Sequence, residues 1–413
     1  MKNIEKEYDN IIIGAGASGM MAAIISARAG KRVLVLEKLK KVAQKLKATG
    51  GGRCNLTNTL ENDIFMSYFG KNGRFMTKAL EELNYKKLIE FFSTIGVETH
   101  APDGYRVFPI THDSSTVVDA MRDEMKRLNI EVLSSQRVIK LLTNQNSIIG
   151  VQTKEDKFYA KKVILATGGN GYAQLGAEGD GYKLAEALGH KVTEIYPAMM
   201  PLKVKESWIA NCRADTIAKV SMYVDIKKYK KLKAKGDLIF TKNGIRGPVV
   251  LDFSREITPL LSKLNEVPLY ANFTKGKNEE QIRVHFKNML KKNSYKNILE
   301  LVETLLPHSL SIELCKLAKV DKNKSLNKVD SKARDELIRL LAWTPLTVNG
   351  HDGFKMAMIT RGGLSLKDID PNTMQSKKIN GLYFCGEVMD LDGPCGGYNL
   401  QWAFASGYLA GLK

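Results

Sequence analysis

At 413 residues the chain is too long for one ordinary core, and a 44% hydrophobic content is enough to fill two or three lobes. No apolar run is long enough to cross a bilayer, Met1–Glu7 is too polar for a signal peptide, and the five scattered cysteines form no C-x-x-C pair, which argues against a disulfide framework or a zinc site. The net charge of +19 admits a polyanionic partner, yet the densest run, Lys227–Lys235, reads as a solvated hairpin or a lysine-guarded edge strand. The expectation is a cytoplasmic protein without a metal centre, since the six histidines show no ligand spacing.

Asp9 to Glu37 reads as strand, glycine turn, helix and strand. Tyr8 to Ile13 is an apolar strand, and Gly14-Ala15-Gly16-Ala17-Ser18-Gly19 is a G-x-G-x-x-G turn. A small-residue helix runs from Met20 to Ala29, and Arg32 to Leu36 is a second buried strand ending at Glu37. In such a turn Gly14 makes the bend, Gly16 lets a pyrophosphate approach the backbone, and Gly19 lets helix and strand pack. The helix start, at Ala17 and Ser18, offers N–H groups and a positive dipole end to phosphate, and Glu37 can accept from ribose hydroxyls.

Further along, Lys45 to Asn55 is too glycine-rich for ordinary core. Tyr85 to Ile95 and Ser115 to Leu128 read as amphipathic helices, with a short extended piece at Gly104 to Pro109 between them. Glu131 to Leu142, Ile148 to Thr153 and Phe158-Tyr159 look like a strand meander leading into the buried strand and turn Lys162 to Gly169. From Lys191 to about Phe273 strand-like pieces are separated by turns, and Glu279 to Leu341 is mostly helical by periodicity. Gly381 to Glu387 is again strand into glycine turn, and Gly396-Gly397-Tyr398-Asn399-Leu400 starts a closing helix. The expected organisation is an α/β nucleotide-binding domain made of 1–190 and 343–413, interrupted by a β-rich insert at 191–278 and a helical insert at 279–342. His351, within Asn349 to Gly353, reads as a turn residue.

Four segments are more specific together than apart. They are the N-terminal fingerprint, Ala48 to Asn58, Ala166 to Gly169 with Gly179 to Gly181, and Gly386-Glu387 followed by Asp392 to Trp402. Together they resemble the BaiN/YhiN-like family of bacterial NAD(P)/FAD-dependent oxidoreductases over essentially the whole chain. The third segment is also similar to the flavoprotein subunits of fumarate reductases. The resemblance implies a glutathione-reductase-like FAD-binding Rossmann domain of α/β class, discontinuous, with the two inserts. It implies FAD held by Gly14, Gly16, Ala17, Ser18 and Gly19 at the pyrophosphate and by Glu37 and Lys38 at the adenosine ribose. Val138 would pair with adenine, and Thr167 and Gly168 would pass the adenosine half. Thr49, Gly52, Arg53 and Asn55 would approach from the second segment, and Gly386 and Glu387 would reach the ribityl chain or phosphate. Glutamate at 387 stands where related folds carry aspartate, one methylene shorter. Gly396, Gly397, Asn399 and Leu400 would point a positive helix end at the flavin edge that gains negative charge on reduction.

For the chemistry, Arg53 would anchor a carbonyl or carboxylate oxygen or a cofactor phosphate, and Asn55 would hydrogen-bond flavin or substrate. Cys54 is a nucleophile, a proton donor or a small buried filler, with a redox pair to Cys395 as a further alternative. Tyr398 is the proton donor that a C=C reduction needs opposite the hydride. No second G-x-G-x-x-G follows its own strand, so NAD(P)H would dock transiently as co-substrate. The expected activity passes hydride from NAD(P)H through the flavin to a small organic acceptor such as an enone. The alternatives are an oxygen-using substrate oxidase and an FAD-dependent tRNA-modifying protein. Against a nucleic-acid partner stands the lack of aromatic residues interleaved with the basic ones.

Overall fold

A computed structural model describes residues 7–292, 295 and 297–412. The polar start at 1–6, and positions 293, 294 and 296 of the expected helical stretch, lie outside the described residues. The chain divides into two units, one built from 1–197 and 358–413, the other from 198–357.

The first unit is layered around a seven-stranded sheet. Glu7–Ile13 lies at its centre because Ile11, Ile12 and Ile13 are apolar on both faces and buried on both, as a central parallel strand requires. It pairs in parallel with Val33–Glu37 on one side (Ile11 opposite Leu34) and with Lys157–Leu165 on the other (Ile11 opposite Val163). Glu131–Ser134 extends the parallel array beyond Val33–Glu37, rather than opening the meander as its sequence suggested. Phe158-Tyr159 and the buried strand after it form one continuous strand, and its edge away from Glu7–Ile13 serves two further partners. Its first half pairs antiparallel with Ser147–Thr153, and its second half pairs in parallel with Leu382–Phe384. The C-terminal segment therefore reaches the sheet beside the N-terminal fold.

Two helices complete that layer. Ala17–Arg28 carries small residues on the face that meets Tyr398–Leu412. A Cβ on Gly407 would stand 2.3 Å from the Ser18 carbonyl oxygen, and one on Gly411 would stand 2.7 Å from that of Ala22. The Ser26 hydroxyl donates to the Gly411 carbonyl at 3.1 Å. Backbone approach of this kind buries both helices on nearly every side, which explains why neither shows an amphipathic pattern.

The second unit is a closed antiparallel barrel. Its staves run in the order Leu202–Val204, Gly244–Arg246, Lys233–Phe240, Thr216–Val224, Val267–Asn272 and Thr344–Gly350, which pairs back to the first. Alternate residues such as Val220, Met222, Leu238, Leu269 and Val348 fill its interior. Helices Pro248–Leu264, Glu279–Lys292, His308–Leu317 and Ser331–Ala342 share that hydrophobic core. The structure thus corrects two boundaries. The helical stretch shares the barrel's core rather than standing as a separate insert, and Thr344–Gly350 closes the barrel rather than resuming the nucleotide fold. Its alternating Thr-Pro-Leu-Thr-Val pattern fits any half-buried strand, so sequence alone could not assign it to a sheet. Lys227–Tyr229 sits in the connection between two staves, a hairpin as expected. Among the described residues no helix is long and apolar enough to cross a membrane.

Candidate functional site

The glycine turn takes the conformation its sequence implies. Gly14 has φ +100°, and a Cβ there would lie 2.7 Å from the Ala166 carbonyl oxygen. A Cβ on Gly19 would lie 1.9 Å from the Gly14 carbonyl oxygen, so this position in the helix's first turn accepts only glycine. Gly16 is different, since nothing stands within 4 Å of its missing Cβ. Packing does not require that glycine; open space in front of it does. Gly16 caps the helix at Ala17 without any side-chain hydrogen bond, so no side chain covers the first-turn N–H groups of Ala17 and Ser18.

In front of this turn lies a cleft of about 1000 Å³ within the first unit. Gly14, Gly16, Ala17, Ser18, Glu37, Thr49, Thr167, Gly168, Glu387, Asn399 and Leu400 all line it. A smaller hollow adjoins it, with Gly14, Glu37 and Thr167 lining both, and Lys38 and Val138 lining the hollow. The structure therefore brings together, along one continuous path, residues drawn from all four sequence segments. Thr167 lines both spaces and its hydroxyl is buried with no hydrogen-bond partner. An elongated cleft, an open position at Gly16 and an orphaned hydroxyl fit an extended dinucleotide such as FAD.

Several lining groups already have protein partners. The Glu37 carboxylate, on the cleft wall, accepts from the Ala15 N–H at 2.8 Å and from the Leu39 N–H at 2.9 Å, so it braces the glycine turn and keeps acceptor capacity to spare. Lys38 is tied to Asp180 at 2.6 Å and to Glu178 at 3.0 Å, and Arg137 holds the same two carboxylates. Glu387 accepts from the Thr360 N–H at 2.8 Å and pairs with Lys45 at 2.7 Å. Asn399 spends its amide on Gly393, accepting from its N–H and donating to its carbonyl, both at 2.8 Å. Gly386 lies just behind the wall, where a Cβ would come within 2.5 Å of the Ser18 hydroxyl.

Gly52, Arg53, Cys54, Asn55, Gly396, Gly397 and Tyr398 do not line the cleft itself. Arg53 is exposed, its guanidinium 5.6 Å from the centre of the Phe108 ring. Cys54 is fully buried at φ 58°, and burial pushes its thiol up to about 12, so it is held as the neutral thiol. Asn55, in the amide orientation that satisfies both its ends, donates to the Thr57 carbonyl and accepts from the Gly397 N–H at 3.0 Å. The Asn58 amide donates to the Gly396 carbonyl at 2.9 Å. The second segment is thereby laced to the start of the closing helix, and a Cβ on Gly397 would strike the Thr57 backbone at 2.4 Å. Tyr398 is buried among Phe65, Tyr68 and Phe69, with its hydroxyl against that of half-buried Tyr105. Burial, reinforced by Tyr105, raises its phenol above the ordinary range and keeps it protonated.

Three participants escaped the sequence reading: Lys45, Asn58 and Tyr105. Asn58 closes the second segment, yet nothing in its residue type or spacing marks a role there, and Tyr105 stands in no motif. Only Lys45, within an otherwise glycine-rich stretch, carried a hint in its charge.

Comparisons with known proteins show the family and the fold. Residues 8–413 match the family described as HI0933-like protein Rossmann domain. The chain is 33% identical over 403 residues, 97% of each sequence, to the 3-dehydro-bile acid delta(4,6)-reductase of Clostridium scindens. It is 30% identical over 409 residues, 98% of each, to the ribosomal RNA dihydrouridine synthase of Haemophilus influenzae. Among solved structures, the 3-ketosteroid-delta4-(5alpha)-dehydrogenase of Rhodococcus jostii RHA1 superposes with a TM-score of 0.53 at 16% identity, covering 100% of this chain and 97% of that one. A flavocytochrome c3 fumarate reductase gives 0.51 at 16% identity, covering 99% and 78%. At such identities the structural likeness concerns the fold.

Proposed function

The chain belongs to the HI0933-like family and is an FAD-dependent oxidoreductase, and on that premise we propose that it saturates a C=C bond conjugated to a carbonyl, with NAD(P)H as the hydride donor. The observation that carries the reading is the single cleft running from Glu37 past Gly16 to Leu400, which suits an extended flavin dinucleotide. The two similar proteins named above point to one bond type. A delta(4,6) 3-dehydro-bile acid and a uridine each contain a C=C bond conjugated to a carbonyl, and the named reactions saturate it.

FAD, when bound, supplies the hydride-carrying centre. The chain's own groups do the rest. Ala17 and Ser18 present the helix start to the pyrophosphate, and Glu37 takes the ribose hydroxyls while bracing the turn. Arg53 is a cation that carries no ion pair among the described residues, on the segment that begins at cleft-lining Thr49, and it anchors the acceptor's carbonyl oxygen. Tyr398, held protonated, returns a proton to the carbon α to that carbonyl, with the Tyr105 hydroxyl beside it. Cys54, as a neutral buried thiol, takes no part as a nucleophile in this reading.

Two acceptors satisfy this chemistry. A small enone is the leading one; the uracil ring of an RNA is the second, favoured by the +19 charge. The test is an anaerobic titration of the yellow protein with NADH and then NADPH, followed by addition of a 3-oxo-4-ene steroid. Bleaching, and return of colour with stoichiometric loss of the enone, is the expected result. A flavin that neither nicotinamide bleaches overturns the donor assignment and leaves direct substrate oxidation as the reading.

A further inference from the structure

The chain distributes its charge unevenly. Residues 198–357 hold 30 lysines and arginines against 17 aspartates and glutamates, a net of +13 from the total of +19. Within them, residues 203–246 hold 12 against 4. This stretch supplies four adjacent staves of the barrel. Because alternate residues of a stave fill the interior, register decides which side chains face solvent. Leu202, Ile245 and Leu238 point in, whereas Lys203, Arg246, Lys233 and Lys235 are exposed. Lys219, at a bulge in Thr216–Val224, is exposed as well.

On the same unit a groove of about 1140 Å³ is lined by Lys203, Arg213, Lys242 and Arg246. Its one lining carboxylate, Asp352, is already paired with Lys203. Among the described residues, Arg213, Lys242 and Arg246 have no acidic partner. Three exposed like charges on one concave surface repel one another and contribute nothing to the barrel's core, so an external anion is what would reward the arrangement. The basic positions extend beyond the groove onto the Lys227–Lys235 hairpin, which suits a partner that repeats its phosphates rather than a single one. Residues 202–246 expose no large apolar side chain that could enter a bilayer, and a concave groove fits a phosphate ridge better than a flat membrane.

We propose that the groove of Lys203, Arg213, Lys242 and Arg246, with the adjoining hairpin, binds the phosphate backbone of a folded RNA. The choice of RNA rests on the second acceptor named above, the uracil ring; the groove and its charge do not depend on that reading.

The experiment measures fluorescence anisotropy of a labelled uridine-containing RNA hairpin with the flavin-loaded protein, from 50 to 300 mM salt. Competitors are a DNA hairpin of the same sequence and phosphatidylglycerol vesicles. The combined variant Arg213→Gln, Lys242→Gln, Arg246→Gln should lose ~10- to 100-fold in affinity at 100 mM salt, with the slope of log K against log salt reduced by about 2. Arg246→Gln alone should reduce the slope by about 1. A matched loss of charge on the first unit, Lys31→Gln, Lys154→Gln, Lys161→Gln, should change affinity less than about threefold. Absence of RNA binding at 50 mM salt overturns the proposal, as does an equal loss in the matched variant. DNA or vesicles that displace the RNA as well as unlabelled RNA does overturn the assignment to RNA. Since anisotropy reads no redox step, RNA binding without nicotinamide bleaching would fail only the reductase reading. Enone turnover without RNA binding would fail only this one.

Discussion

The Lys45 ammonium lies 2.7 Å from the Glu387 carboxylate, so one ion pair joins the segment after the second strand to the glycine turn near the C-terminus. Both side chains line the cleft, and both are more than three-quarters buried. Lys45 thereby neutralises an acid on the wall of the cleft. Replacing Lys45 with Gln should weaken FAD binding by about tenfold, corresponding to ~1.4 kcal/mol. Glu387→Gln in the same background should restore part of the loss. Flavin release measured by fluorescence on dilution checks both, and unchanged retention in Lys45→Gln would show that the pair is only structural.

Gly16 and Gly19 should respond oppositely to added side chains. A Cβ at Gly16 meets no protein atom within 4 Å, so the melting temperature of Gly16→Val without flavin should match that of the wild-type apoprotein while its flavin content falls to near zero. Gly19→Ala forces a Cβ to 1.9 Å from the Gly14 carbonyl oxygen and should destabilise the apoprotein by about 1–3 kcal/mol or more. Thermal melts with and without bound flavin separate the two. A Gly16→Val protein that elutes yellow from gel filtration would contradict the assignment of that open space to the pyrophosphate.

Tyr398→Phe should divide the two half-reactions. Reduction of the flavin by NAD(P)H should be unaffected, while reoxidation by the acceptor should slow by ~10²- to 10⁴-fold. Tyr105→Phe, which removes the hydroxyl against Tyr398, should give a smaller loss. Stopped-flow absorbance resolves the two phases, and equal slowing of both in Tyr398→Phe would indicate a packing defect among Phe65, Tyr68 and Phe69 instead.

Stability should fall in alkali. Burial raises Cys54 and Cys385 from 9.0 to about 12, so in the native state both keep their protons where the unfolded chain loses them. Between pH 9 and 12 the native state binds more protons, and the sign of the linkage makes stability decline as pH rises. Each thiol should contribute about 1 kcal/mol of that decline by pH 10. Urea titrations at pH 8 and pH 10 under reducing conditions measure it, and Cys54→Ala should reduce the difference between them. Iodoacetamide at pH 8 should leave Cys54 unmodified in the folded protein.

Much of the nucleotide fold was readable because its demands fall on residue types that sequence displays openly. Gly14 and Gly19 are required by backbone contact, Gly16 by open space, and Glu37 by a short strand that ends at the glycine turn. The remainder depended on partners remote in sequence. Asn55 looked like a group for flavin or substrate because of its neighbours, yet in the structure it holds the Gly397 N–H. Cys54 could not be placed among nucleophile, donor and filler until its burial was known. Thr344–Gly350 alternates as any half-buried strand does, and only pairing with Val267–Asn272 and Leu202–Val204 assigns it to the barrel. Tyr105 carries no motif, and its meaning comes entirely from Tyr398.

The seating of Gly407 and Gly411 on the first helix has a consequence for how the protein is made. The face of Ala17–Arg28 they cover leaves the ribosome long before its covering helix, Tyr398–Leu412. At roughly 5–20 residues per second the nascent chain carries that apolar face uncovered for about 20–80 seconds. The barrel unit, whose segments lie consecutively in 198–357, can close on itself during that interval. A holding chaperone therefore has its natural target at Met20 to Ile25, and translation halted before residue 398 would leave an aggregation-prone product rather than a smaller working enzyme.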